Sequence, residues 1–88
     1  MILLNNENDF KIYDKKIIIL FYSHEDFILK ILSSKYKNNH DVVAVDITHF
    51  KSFIKRFDLK STPTLIFFKN GKERKRITNV ILINEFEF

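Results

Sequence analysis

The segment Ser61-Thr62-Pro63-Thr64-Leu65-Ile66-Phe67-Phe68-Lys69-Asn70-Gly71-Lys72 carries the strongest structural signals in the sequence. Pro63 has no amide donor, so it can stand only at the very start of the strand that Thr64 to Lys69 predict. Asn70-Gly71 marks a hairpin, because both residues tolerate the positive φ that a type I′ turn requires. A returning strand then runs from Lys72 to about Ile77.

Upstream of this segment, Ile17-Ile18-Ile19-Leu20-Phe21-Tyr22 is a continuous β-branched and aromatic run, the pattern of a central strand buried on both faces. Ser23-x-x-Asp26 resembles a capping box, which places a helix start at Ser23. Phe27, Ile28, Ile31, Leu32 and Tyr36 continue that helix as one apolar stripe, ending near Asn38-Asn39. Val42 to Ile47 reads as a second buried strand. Thr48 is placed to cap another helix, whose Phe50, Phe53, Ile54 and Phe57 follow i, i+3, i+4, i+7 spacing. Asp58 to Thr62 is a loop.

The ends of the sequence are weaker signals. Ile2 to Leu4 suggests a short edge strand, and one or two helical turns are expected around Phe10, Ile12 and Tyr13. Val80-Ile81-Leu82-Ile83 and Phe86 suggest a short closing helix, with a strand as the alternative because of the β-branched content. The resulting order is β-α-β-α-β-α-β-β-α: strand–helix–strand crossovers followed by a hairpin, hence an α/β fold with a mixed four- to five-stranded sheet flanked by helices.

At 88 residues the chain can build one core, so one domain spanning 1–88 is expected. Hydrophobic residues reach 45%, with ten Phe but only one Gly and one Pro, which argues for a packed globule. The longest uncharged apolar run, Ile17 to Tyr22, is far short of the ~20 residues of a membrane-spanning helix. Met1 to Asp9 has neither the basic nor the apolar region of a secretory signal, and an intracellular location, mitochondrial or cytoplasmic, is expected. Fifteen basic and eleven acidic side chains leave a net charge of +4, a basic protein but not one with the charge density of a dedicated nucleic-acid binder. Cysteine is absent, which excludes disulfides and thiolate metal ligands. Ile, Lys, Asn and Phe, all with A/T-rich codons, make up about half the chain. An A/T-rich genome such as that of an organelle, endosymbiont, phage or protist would produce this bias.

The element order and the Ser61 to Lys72 string resemble the thioredoxin family, over the whole chain. The string matches the family's proline, strand and hairpin almost residue for residue. Ile17 to Ser23 resembles the family's central strand, Val42 to Asp46 the next, and Phe50 to Leu59 the helix leading to the proline. The resemblance implies a cis Thr62-Pro63 peptide before the third main strand. It also exposes departures. The family's two-cysteine loop is replaced at Ser23-His24-Glu25-Asp26, and the stretch from Phe21 to Tyr36 is several residues shorter than the family's. The family's buried acid falls on Leu20, and the last helix is shorter than the family's. Nucleophile and proton relay are both missing, so thiol–disulfide exchange is the least favoured activity.

In the redox-active family, the backbone beside the cis-proline pairs with an extended substrate peptide, and this needs no cysteine. A docking groove made by Ser61, Thr62, Pro63, Ser23 and His24 is therefore expected. His24 and Glu25 do not make a catalytic or metal pair, because helix neighbours do not face each other and a helical metal pair wants i, i+4 spacing. His40 and His49 read as solvated, and Phe50, Phe53 and Phe57 as core. Lys69, Lys72, Arg74, Lys75 and Arg76 crowd the hairpin as an anion- or RNA-binding set, or as a charged edge that blocks sheet-to-sheet association. Phe86 and Phe88, alternating with Glu85 and Glu87, are expected to contact a neighbouring chain. No cofactor is implied. The function expected is a non-catalytic interaction module, a structural subunit of a larger assembly with a mitochondrial complex in view. The alternative is an RNA- or ribosome-associated accessory protein using the basic hairpin.

Overall fold

The computed structural model describes residues 1–11, 15–23 and 27–87. Its elements are β1 (Ile2–Leu3), a 3-10 turn at Glu7–Asp9, β2 (Lys16–Tyr22), α1 (Phe27–Lys35), β3 (Val42–Asp46), α2 (Ser52–Arg56), β4 (Thr64–Lys69), β5 (Lys72–Ile77) and α3 (Val80–Glu85). The five strands form one mixed sheet in the order β1-β3-β2-β4-β5. β3 runs parallel to both β1 and β2, while β4 is antiparallel to β2 and β5.

β2 lies at the centre because its apolar run satisfies both faces. Ile17, Ile19 and Phe21 enter a cluster with Phe10, Val45, Phe53, Leu59, Ile66 and Phe68, under α2. Ile18 and Leu20 enter the other, with Ile28, Leu32, Tyr36, Leu65, Ile77 and Ile83, under α1 and α3. Each fully buried aliphatic or phenyl side chain contributes about 2 kcal/mol, so a strand buried on both sides anchors both layers. Phe53 is completely buried, its ring 4.7 Å from that of Phe10, 6.3 Å from Phe21 and 5.9 Å from Phe57.

The hairpin forms as its dipeptide demands. Asn70 and Gly71 take φ of 54° and 76°, the left-handed region in which Gly pays no Cβ penalty. Between Phe67 and Phe68 the register shifts, so that Lys75 faces Phe67 and Glu73 faces Phe68. Arg74 is the extra residue of this bulge.

Three local expectations are corrected, and a fourth falls partly on residues outside the described ones. Thr48 does not cap α2: both its amide and its hydroxyl donate to Asp46 Oδ1, at 2.9 and 2.6 Å. This Asx-type turn closes β3, and α2 starts only at Ser52, preceded by Lys51 without a side-chain cap. The early helical turn falls within the polar cluster at Glu7–Asp9, where Asn6 Oδ1 accepts from the Asn8 amide at 2.9 Å; Ile12 and Tyr13 lie outside the described residues. Phe27, placed on the buried stripe of α1, is 72% exposed, while Ile28 and Leu32 carry the packing. Of the capping box expected at Ser23, Asp26 lies outside the described residues, and α1 is described from Phe27.

Candidate functional site

The loop before β4 is held in place by its own side chains. Thr64, buried at the start of β4, donates its hydroxyl to the Ser61 carbonyl at 2.7 Å, which fixes the turn around Pro63. The Thr62–Pro63 peptide is cis, and Pro63 is buried. Across the sheet, Ser23 at the end of β2 brings its Oγ to 3.4 Å from Thr62 Oγ1. The structure thus brings together Ser23, Ser61, Thr62 and Pro63; His24 lies outside the described residues. Ile47, Ile54, Leu59, Lys60, Ser61 and Thr62 line a shallow hollow of about 260 Å³ on the same loop. Leu59 is nearly buried, and Ile54 leaves 38% of its surface open at the rim.

Chemically this place is poor in nucleophiles. Its oxygens are hydroxyls, weak at their ordinary pKa, and the chain has no sulfur that could form a mixed disulfide. Leu20, where the family's acid would sit, is completely buried among aliphatic side chains, in register with Ala44 and Leu65. Among the described residues no group of three or more acidic or histidine side chains could hold a metal ion. His40 is exposed. His49 is exposed as well, its Nε2 3.8 Å from the buried Asp46. Tyr22, in register with Asp46, has its phenol pKa pushed up by burial and then by the Asp46 charge.

The basic hairpin is divided by the bulge. Arg76 faces the α2 side, donating from Nε and Nη2 to the two oxygens of Glu73 at 3.0 and 2.8 Å, and from Nη1 to the Asp58 carbonyl at 3.1 Å. Glu73 pushes the Arg76 pKa up and is itself held low by that hydrogen bond. Lys75 faces the other side, with Nζ 5.6 Å from the Phe86 ring centre. Lys69 and Lys72 are exposed and in register with each other, and Arg74 is exposed at the bulge. The five cations therefore do not form one surface.

Phe86 is likewise not a free contact residue. It is half-buried with its ring 6.2 Å from Phe67, and its carbonyl accepts from Tyr36 Oη at 2.9 Å and Lys35 Nζ at 3.0 Å. Packing on its own sheet satisfies the ring that the alternating Phe-Glu pattern seemed to leave outside. Phe88 lies outside the described residues. Besides Phe27 and the β1 residues Ile2 and Leu3, open apolar surface lies on α3, where Val80, Ile81 and Leu82 are 45, 67 and 54% exposed. Sequence reasoning placed a helix there but not its free side; the aliphatic run on either side of Ile83 was the available signal.

Among the described residues no helix is long and apolar enough to cross a membrane. The thioredoxin family model matches residues 27–85. Thioredoxin-1 of Drosophila yakuba is 25% identical over 83 residues, spanning 77% of this chain and 78% of that protein. Among solved structures, the thioredoxin Mala s 13 of Malassezia sympodialis superposes with a TM-score of 0.74 at 18% identity, covering 94% of this chain and 84% of the other. Oxidized thioredoxin O2 of Arabidopsis thaliana gives 0.73 at 20% identity, covering 96% and 88%. Oxidized mitochondrial thioredoxin 3 of Saccharomyces cerevisiae gives 0.69 at 23% identity, covering 97% and 91%. The structural likenesses establish the fold, and the family match runs through most of the length: this chain belongs to the thioredoxin family, as a member without cysteine.

Proposed function

We propose that this protein is a non-catalytic interaction module, a thioredoxin-fold subunit of a larger assembly. The observation that carries the reading is a contrast between two parts of one fold. The loop at Ser61-Thr62-Pro63 keeps its hydroxyl contact with Ser23 and an apolar hollow beside it, whereas the position of the family's acid is filled by buried Leu20 and cysteine is absent. An extended partner segment can pair with backbone at such a loop without any covalent step. Val80, Ile81 and Leu82 supply a second surface, since three consecutive exposed aliphatic residues are poorly placed in water.

In this reading the assembly is intracellular, and a mitochondrial complex is the first place to look; the excess of Ile, Lys, Asn and Phe is what an A/T-rich genome, organellar or similarly biased, would produce. The test is purification from the native source. A fixed stoichiometry with another protein supports the reading, and loss of that partner in Ile81→Lys or Thr62→Arg assigns the surface. Recovery as a free monomer overturns it. Insulin-reduction activity above background would overturn the non-catalytic part on its own.

A further inference from the structure

The three parallel strands β1, β3 and β2 point their carboxyl ends at one rim of the sheet, the end at which open α/β sheets hold ligands. Tyr22 closes β2 and Asp46 closes β3, in register with each other on strands about 4.8 Å apart. Both residues are only 8% exposed. Asp46 Oδ1 is occupied by the Thr48 amide and hydroxyl, at 2.9 and 2.6 Å. Its Oδ2 accepts no hydrogen bond among the described residues, the nearest donor, His49 Nε2, being 3.8 Å away. Tyr22 Oη likewise makes none. Among the described residues no fully enclosed side-chain oxygen is without a partner, so both of these reach the surface. There they meet an open hollow of about 550 Å³, which they share with Leu3, Leu4, Asn5, His49 and Phe50. Among the described residues no lysine or arginine lines it.

A carboxylate held largely out of water with one oxygen unused calls for a cation, and it repels an anion. We propose that this hollow binds a primary alkylammonium group, which donates to Asp46 Oδ2 and Tyr22 Oη while its alkyl chain lies along Leu3 and Leu4. Three features select that chemistry. A divalent metal ion finds a single carboxylate and, among the described residues, no set of three ligands. A guanidinium prefers both oxygens of a carboxylate, and Thr48 already holds Oδ1, whereas an ammonium needs only the one that is open. The chain is accommodated because Leu3, half of whose surface is exposed, is in register with Ala44, two residues before Asp46 and so on the same face of the sheet. Burial, and then the Asp46 charge, push the Tyr22 phenol pKa up, so the oxygen beside the cation stays a neutral acceptor. The two bonds from Thr48 fix the carboxylate before any ligand arrives, which lowers the cost of binding. This hollow shares no lining residue with the one beside Ser61 and Thr62, and it stands whether or not the chain belongs to an assembly.

The experiment titrates the isotopically labelled full chain with n-hexylammonium chloride at pH 7 and follows the backbone amide resonances of Tyr22, Asp46 and His49. Saturable shifts at these residues are expected, with 1-hexanol, the same chain without the charge, binding at least about tenfold more weakly. Asp46→Asn keeps an oxygen for Thr48 and removes the charge, and it should weaken hexylammonium binding about tenfold or more. Tyr22→Phe loses one neutral acceptor and should weaken it about fivefold. Should Asp46→Asn fail to fold, Tyr22→Phe decides alone, since it removes only the hydroxyl from the hollow. N-acetyl-lysine methylamide separates the sources: binding as tight as that of hexylammonium identifies the lysine side chain of a protein, and binding of hexylammonium only identifies a free amine. Absence of saturable shifts overturns the proposal. So does 1-hexanol binding as tightly as hexylammonium, or either folded variant binding as tightly as the parent.

Discussion

Glu73 and Arg76 are three residues apart on one strand, yet their side chains meet on one face, with both carboxylate oxygens gripped by the guanidinium at 2.8 and 3.0 Å. In a regular strand an odd separation sends side chains to opposite faces. The bulge at Arg74 removes that alternation and makes the pair. Because the hydrogen bond to Arg76 lowers the Glu73 pKa, the folded state binds fewer protons there than the unfolded chain. The pair's stabilisation is therefore present above the ordinary glutamate pKa of about 4.3 and is lost as pH falls through the lower folded value. Both side chains are part-exposed, so the magnitude is below about 1 kcal/mol. Urea titrations across falling pH should show Glu73→Gln less stable than the parent at pH 7, with the difference shrinking as the medium becomes acidic enough to protonate Glu73 in the folded state.

Tyr22 carries the opposite sign. Burial and the neighbouring Asp46 raise its pKa, so the neutral phenol is favoured by folding. That contribution is complete below the unfolded value near 10 and is lost as pH rises through the folded one. Tyr22→Phe should flatten the decline in unfolding free energy between pH 9 and 11; a decline as steep as that of the parent would show that other groups cause it.

Phe53 is the centre of the α2 side. With its ring fully enclosed by Phe10, Phe21 and Phe57, Phe53→Ala should cost about 3–5 kcal/mol in urea unfolding. Ile54→Ala, beside it but partly open, should cost under half as much. Equal effects would place the core elsewhere.

Gly71 holds φ at 76° in the hairpin turn. Gly71→Ala should destabilise by about 1–2 kcal/mol, the cost of a Cβ in the left-handed region. Thermal melting checks this, and an unchanged midpoint would mean the turn has a second conformation of equal energy.

Much of the fold was readable because its signals are local and mutually consistent. The Ile17 to Tyr22 run needs apolar neighbours on both sides, which forces a central strand, and Asn70-Gly71 allows few turns. What failed had the same chemistry as what succeeded. Thr48 and Asp46 are both good capping residues, and only the end of β3 decides that Asp46 binds Thr48. Phe27 stands one residue before Ile28 and five before Leu32, so at 3.6 residues per turn it falls off the face that those two bury. At the site, Ser61, Thr62 and Pro63 were visible as a string and their grouping with Ser23 followed from the family resemblance, while the 3.4 Å hydroxyl contact itself needs the three-dimensional fold. The hairpin cations were visible as a cluster, but no Gly or Pro within Lys72 to Ile77 announces the bulge that sends them to different faces.

The sheet also sorts its side chains by kind. Phe10, Phe21, Phe53 and Phe68 are buried on the α2 side with Phe57 against them, whereas Ile, Leu and Val dominate beneath α1 and α3. With no tryptophan in the chain, the fine structure of phenylalanine absorption reports chiefly on the α2 side, with a smaller share from Phe67 and Phe86 on the other. Loosening beneath α2 would therefore blur that fine structure more than loosening beneath α1 and α3, so the two layers of this small molecule answer the same measurement with unequal strength and without a label.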